Sequence, residues 1–454
     1  MAFGFQCLRA LPVKYLVAKV VDFAEKTKKV AKDDPRRVIH SIKVGLALVL
    51  ISLYYNFQPF YDGFGVDAMW AVITVVVVSE FSVGATIGKI INRTAATLLA
   101  GALGVGLYSL AALTGSIGKL ILLTAFVFLV GSVATFMRFC PRIKARNDYG
   151  LLIFILTFCM VIVPGYQDDE VWETAYKRFS TVAIGCFTAV TVCLCICPVW
   201  SGVELQNSVS NNIEKLGNFL EGFGAEYFAT MEDDRRSTVA DKSSLESYKS
   251  VLTSKNTEDA MVNLASWEPR YGRFRFNHPW KEYIKIGTLS RQCAYKLEAL
   301  NSYLKSDIQT PAEIKTHMRE PCVIICSESG KLLKELAGTM RKPINQYSSI
   351  SSTCFSRSDL LKTAAESLKT LLKGQSWWEQ AVVFDVIPAA AVALQLIEVV
   401  TCAEKIAKAV HELTSTGTFE TEDTIATPTP EQQPNNMRRE ETVVPEAVIM
   451  IGDG

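Results

Sequence analysis

The sequence predicts an all-α integral membrane protein, in which six transmembrane helices are followed by a cytosolic helical bundle domain. Three observations predict this fold. Long uncharged runs are concentrated between residues 38 and 200 of the 454-residue chain, and each has about the 20 apolar residues that a spanning helix needs. Amphipathic periodicity replaces these runs after residue 200. The charges between the apolar runs are segregated by sign, as in multi-pass membrane proteins.

Composition narrows the class of protein further. Hydrophobic residues make up 49% of the chain and charged residues 20%, whereas a soluble chain carries about 25% charge. The formal net charge is +1, so no overall basic field indicates a nucleic acid partner. The 12 cysteines lack the paired spacing of an extracellular disulfide framework.

The membrane half is predicted to occupy residues 38–200, after a cytosolic N-terminal segment at 1–37. This segment contains nine Lys or Arg residues against four acidic ones. The third apolar run contains Gly101, Gly104 and Gly106, small residues that allow transmembrane helices to approach closely. The six predicted spans are 38–57, 66–84, 92–113, 119–137, 149–165 and 178–198.

Two loops predict the orientation. The loop at 138–146 holds four basic residues and no acid, whereas the loop at 168–173 holds four acids and no base. The positive-inside rule therefore places the N-terminus and the 138–146 loop in the cytosol. With six spans, the C-terminal half is cytosolic as well, and the acidic loop faces the opposite side.

The soluble half is predicted to be a helical domain at 201–414. The run Val382–Ala403 contains Asp385 and Glu398, which are costly at bilayer depth, so it is predicted to be a bundle helix. Residues 415–454 are rich in Thr, Pro and Glu and are predicted to be a disordered tail. The predicted bundle helices are 204–229, 243–254, 257–266, 280–305, 311–340, 356–373 and 378–413.

No enzyme signature is present, so the chain is not expected to be an enzyme. The run from Gly115 to Leu120 lacks the spacing of a phosphate-binding loop, and the four histidines lack metal-ligand spacing. The remaining candidates are basic residues inside or beside the spans: Lys43, Lys89, Arg93, Lys177 and Arg178. Such residues can line an anion pore, but lysines can also extend to the headgroups, and Arg93 could form a structural ion pair with Glu80.

The acidic loop allows two interpretations. Asp168, Asp169, Glu170 and Glu173 offer hard oxygen ligands that suit a hard, highly charged cation. Asp169 and Glu173 would share a face if span six began as a helix there. The alternative is a solvated loop that merely follows the topology.

Several long motifs resemble one known family. The chain from about 34 to 413 is similar to the plant aluminium-activated malate transporters, a family of anion channels. The motifs that carry the resemblance are Asp34-Pro35-Arg36-Arg37-Val38-Ile39-His40-Ser41, Ala68-Met69-Trp70-Ala71-Val72-Ile73-Thr74, Glu80-Phe81-Ser82-Val83-Gly84-Ala85-Thr86, Cys197-Pro198-Val199-Trp200-Ser201-Gly202, Trp267-Glu268-Pro269-Arg270 and His278-Pro279-Trp280.

The resemblance implies a homodimer in a lipid bilayer that passes malate and other anions without a pump. It implies anion-selectivity roles for Arg93 and Arg178. It also implies that aluminium, the activating ligand in some members, is sensed by Asp62, Asp169 and Glu173, with no other cofactor. The Trp267-Glu268-Pro269 motif is expected to be structural or regulatory, and Glu80 is grouped with it.

The resemblance leaves the location and the transport mode open. The roughly 35 residues before span one favour the plasma membrane over the vacuolar membrane, whose members have longer extensions. The alternatives are a vacuolar anion channel that aluminium does not activate and a proton-coupled organic-acid transporter, for which Glu80 is the candidate titrating carboxylate. A non-transporting receptor or scaffold is a third class, disfavoured by the basic residues at membrane depth.

Overall fold

A computed structural model describes residues 11–56, 65–164, 171–228, 245–269, 279–305, 311–342, 351–374 and 383–422. Within these ranges the chain forms helices and no strand, which confirms the predicted all-α fold. Helix α1 (Leu11–Asp33) precedes the membrane half. The helices of the membrane half are α2 (Pro35–Asn56), α3 (Met69–Val78), α4 (Val83–Ala112), α5 (Gly115–Met137), α6 (Pro141–Ile162) and α7 (Val171–Cys195).

Six described helical stretches are long and apolar enough to cross a membrane. Five of them, α2 and α4 to α7, correspond to the predicted spans one, three, four, five and six. The chain is therefore a multi-pass membrane protein. The sixth stretch, Val386–Thr414, belongs to the soluble half.

The predicted second span, 66–84, is wrong in its extent. A 3₁₀ turn at Gly65–Ala68 leads into α3, which ends at Val78 and is about 15 Å long at 1.5 Å per residue. Ser79 is extended, and Ser82 then caps α4 by accepting a hydrogen bond from the Ala85 amide at 3.3 Å. The Thr86 hydroxyl bonds both backbone groups of Glu80, so this break is satisfied within the protein, as non-helical backbone at membrane depth requires.

The other five spans all begin earlier than predicted, and three of them begin seven or more residues earlier. Helix α4 starts nine residues before the predicted 92, so Lys89 and Arg93 lie within its first three turns. Helix α7 starts at Val171, which places Lys177 and Arg178 in its second turn. Pro141 occupies the first turn of α6, a favoured position, so Arg142, Lys144 and Arg146 are helical rather than part of a loop.

The soluble half is a helical bundle around one apolar core. The predicted helix 243–254 is interrupted, because the Ser250 side chain and amide both bond the Ser247 carbonyl and serine competes with helical hydrogen bonding in this way. The helices of the bundle are α8 (Ser201–Tyr227), α9 (Lys249–Leu252), α10 (Lys255–Ala265), α11 (Trp280–Leu304), α12 (Ala312–Arg341), α13 (Ser351–Lys373) and α14 (Val383–Glu422).

Helix α14 is part of this bundle despite its apolar composition. Val392, Leu396 and Val399 are buried in the same cluster as Leu205 of α8 and Leu297 of α11. Such a helix is apolar because it is buried by protein, not by lipid. The helix continues to Glu422, eight residues into the segment with predicted disorder, and no proline precedes Pro428 there. Residues 423–454 lie outside the described ranges.

Candidate functional site

Two arginines from different spans are buried in the membrane half. Arg93 projects from the third turn of α4 and is 3% exposed. Its NH1 group donates a hydrogen bond to the Tyr149 hydroxyl of α6 at 3.1 Å. Its Nε is buried and has no hydrogen-bond partner among the described residues.

Arg178 projects from the second turn of α7. The side chain is 5% exposed, and the guanidinium carbon lies 3.3 Å from the centre of the Trp70 ring on α3. Stacking on an aromatic face stabilises a guanidinium without neutralising it. Its Nε and NH1 groups are buried without a hydrogen-bond partner in the described part of the chain.

These two guanidinium groups form one electropositive site. Arg178 lies within electrostatic range of Arg93 and of Asp67, a residue of the 3₁₀ turn. No described carboxylate, however, forms an ion pair with either arginine. The Thr97 hydroxyl, one turn beyond Arg93 on α4, is also buried without a partner in the described ranges. Buried charges normally find partners because desolvation is costly, so an anion is the partner that this donor set fits.

Close helix packing brings Trp70 of α3 against Arg178 of α7. A Cβ atom on Gly185, two turns after Arg178, would lie only 2.7 Å from the Ala71 carbonyl oxygen of α3. Glycine therefore allows α3 and α7 to touch at the level of the backbone. Of the glycines noted in the sequence, Gly104 packs against Val161 of α6, whereas Gly106 has nothing within 4 Å of its would-be Cβ.

The three candidate lysines each have a protein partner. Lys43 is buried and donates to the Cys197 carbonyl at 2.8 Å, where it faces the negative C-terminal end of α7. Lys89 pairs with Glu80, so the ion pair considered for Arg93 forms with Lys89 instead. Lys177 pairs with Glu173 at 2.6 Å.

Only part of the candidate aluminium site is described. Asp62 and Asp169 lie outside the described ranges, as do Asp168 and Glu170. Glu173 lies in the first turn of α7 and holds the Lys177 ammonium. No cluster of three or more His, Cys, Asp or Glu residues that could hold a metal occurs among the described residues.

The Trp267-Glu268-Pro269 motif joins the two halves of the chain. Glu268 is 3% exposed, and its carboxylate accepts hydrogen bonds from the Ser201 amide at 2.5 Å and from the Gly202 amide at 3.1 Å. A carboxylate is favoured there because it faces the positive N-terminal end of α8. The Trp267 ring packs on Gly88 of α4.

A cavity of about 360 Å³ lies at this junction. Its walls include Glu80 and Lys89, and the Arg146 guanidinium stacks 4.5 Å from the centre of the Trp267 ring. Tyr149 also lines it and bonds Arg93. The cavity is thus separated from the arginine site by one aromatic side chain.

Sequence reasoning missed four residues of this region: Trp70, Thr97, Arg146 and Tyr149. Trp70 stands in a motif that carries the family resemblance, and Arg146 belongs to the predicted basic loop. The sequence therefore draws attention to both residues but assigns neither of them a role at the site. Nothing in the sequence marks Thr97 or Tyr149, because their roles depend on which helix faces them.

Comparison with known proteins identifies the family. The family described as "Aluminium activated malate transporter" matches residues 28–381. The chain is 46% identical over 407 residues to aluminum-activated malate transporter 2 of Arabidopsis thaliana, covering 88% of this chain and 79% of that protein. It is 42% identical over 421 residues to aluminum-activated malate transporter 1 of Triticum aestivum, covering 89% and 88%. The chain therefore belongs to the aluminium-activated malate transporter family.

Proposed function

We propose that this protein is a passive anion channel that releases malate from the cytosol, with Arg93 and Arg178 as its anion-selective site. The observation that carries the proposal is the pair of buried guanidinium groups with unbonded N–H donors. Rings of basic side chains lower the cost of stripping water from an anion. The names of the relatives, all aluminum-activated malate transporters, supply malate as the substrate.

Malate efflux through such a channel needs no coupled energy source. In the proposed topology both termini are cytosolic and the membrane is the plasma membrane, with the vacuolar membrane as the alternative. A dianion that leaves a cytosol at about −100 mV gains roughly 4.6 kcal/mol from the potential, at 2.3 per charge. Because two arginines share the positive charge, the anion can be held without being trapped at a single site.

Voltage clamp of malate-loaded oocytes tests the arginine site. We expect Arg93→Gln and Arg178→Gln to abolish malate efflux current at unchanged surface expression, whereas Arg93→Lys keeps a charge and retains part of the current. Arg142→Gln is the matched control, because Arg142 is exposed on α6. Wild-type currents in both glutamine variants would contradict the assignment.

The same recordings separate a channel from a proton-coupled transporter. The reversal potential of a channel follows the malate gradient alone, whereas coupling through a carboxylate shifts it with the pH gradient. Glu80 is the candidate carboxylate for coupling, and it forms an ion pair with Lys89. A reversal potential that moves with pH in the wild type but not in Glu80→Gln would favour the transporter.

Aluminium activation is the finer part of the proposal. Carboxylates suit a hard trivalent cation, and the residues assigned to it are Asp62, Asp169 and Glu173. Glu173 would exchange the Lys177 ammonium for the metal ion. We expect Asp169→Asn and Glu173→Gln to carry malate current that external Al³⁺ no longer increases. A full aluminium response in both variants would remove this role and leave the channel proposal intact.

A further inference from the structure

Helix α1 exposes an apolar face that no described part of the chain covers. Every side chain from residue 17 to residue 30 is exposed. Val20 is 63% exposed and Phe23 is 71% exposed. A contiguous apolar surface of this kind marks a binding face, and most of the stability of a helix in a protein comes from packing of its apolar face.

The residues of α1 are sorted into two faces. Val17, Val20, Ala24 and Thr27 recur at helical spacing along one side, and Phe23 flanks them. The opposite side carries Lys19, Asp22, Lys26 and Lys29 at the same spacing. Across residues 11–33 there are six lysines against three acids, so the polar face is basic.

Helix α1 lies directly before the first predicted span. Only Asp34 separates α1 from α2, a helix that is long and apolar enough to span the bilayer. Asp34 accepts a hydrogen bond from the Arg36 amide at 3.1 Å, and the Arg36 side chain pairs with Glu204 of α8 at 2.9 Å. The corner between α1 and α2 is thereby anchored to the soluble half.

We propose that α1 lies in the headgroup layer of the leaflet at which α2 begins, with Val17, Val20 and Phe23 inserted and its lysines on anionic lipid headgroups. A helix with an apolar face and a lysine-rich polar face is the type that binds anionic bilayer surfaces in this way. Charge complementarity favours lipid over a second copy of α1, whose polar face would carry the same net positive charge.

Hydrogen exchange of the full-length protein tests the proposal. The protein is reconstituted in nanodiscs of phosphatidylcholine alone and of phosphatidylcholine with phosphatidylserine, and a detergent-solubilised sample serves as reference. We expect the amides of residues 17–33 to exchange about tenfold more slowly in the phosphatidylserine discs than in detergent. Protection in phosphatidylcholine alone should be intermediate.

A pair of matched variants separates insertion from simple helix formation. Val20→Glu places a charge on the apolar face and should abolish the protection. Ala18→Glu adds the same charge two residues away on the polar face and should keep it.

Three outcomes would overturn the proposal. The first is equal exchange in detergent and in both kinds of disc. The second is equal loss of protection in both variants. The third is strong protection already present in detergent, which would mean that a second copy or the bundle covers α1.

Discussion

Gly185→Ala tests the packing of α7 against α3, which places Trp70 on Arg178. The added Cβ would lie 2.7 Å from the Ala71 carbonyl oxygen and 2.8 Å from the Thr74 Cβ atom. Ordinary carbon–oxygen contacts lie at about 3.3–3.6 Å, so α3 and α7 must separate by about half an ångström or more. The obstacle is backbone, which cannot rotate away as a side chain tip can.

The size of the effect follows from this overlap. Overpacking typically costs about 1–3 kcal/mol, whereas replacing glycine by alanine inside a helix gains up to about 1 kcal/mol. Gly106→Ala and Gly131→Ala are matched controls, because a Cβ at either position meets nothing within 4 Å. All three variants share the helical gain, so Gly185→Ala should be about 1–3 kcal/mol less stable than these controls.

Thermal unfolding of the purified protein, followed by tryptophan fluorescence, measures this difference. Separation of α3 from α7 also moves Trp70 away from Arg178, which now stacks at 3.3 Å, so malate current should fall in Gly185→Ala and not in the controls. If Gly185→Ala unfolds at the temperature of the controls and carries their current, the close contact between α3 and α7 is wrong.

Three further predictions concern the soluble half. Glu258→Ala strands the buried Arg291 guanidinium, its ion-pair partner, and should cost about 3–5 kcal/mol of unfolding free energy; a denaturant transition like that of the exposed-pair variant Glu246→Ala would contradict this. Glu268→Ala leaves the amides of Ser201 and Gly202 without their acceptor, and each buried donor without a partner costs about 1–3 kcal/mol. Glu268→Ala should therefore lower the melting temperature more than Glu268→Gln, which keeps one acceptor oxygen. The reverse order would refute the capping role. Burial raises the pKa of the Cys322 thiol to about 12, so roughly one thiol in 10⁴ is ionised at pH 8. Mass spectrometry after maleimide treatment should show that Cys322 is labelled far more slowly than the exposed Cys140. Equal labelling rates would contradict the burial of Cys322.

The sequence by itself determined the class of the protein and most of its helices. Spans one and three to six were predictable because a spanning helix must be apolar over its whole length, whatever its neighbours are. The charged residues Asp385 and Glu398 were enough to assign the apolar run of α14 to the bundle. The candidate residues Arg93 and Arg178 were also visible, since a charge inside an apolar run is conspicuous.

Tertiary structure decided where the second span breaks and which charges remain without a carboxylate. Hydropathy averages over the Ser79–Ser82 break, because the residues on both sides are apolar. Lys89 rather than Arg93 takes the Glu80 carboxylate, and Trp70 and Tyr149 meet the two arginines from other helices. Arg93 and Arg178 are 85 positions apart, and their proximity depends on the packing of α4 against α7, which sequence periodicity along one helix cannot specify.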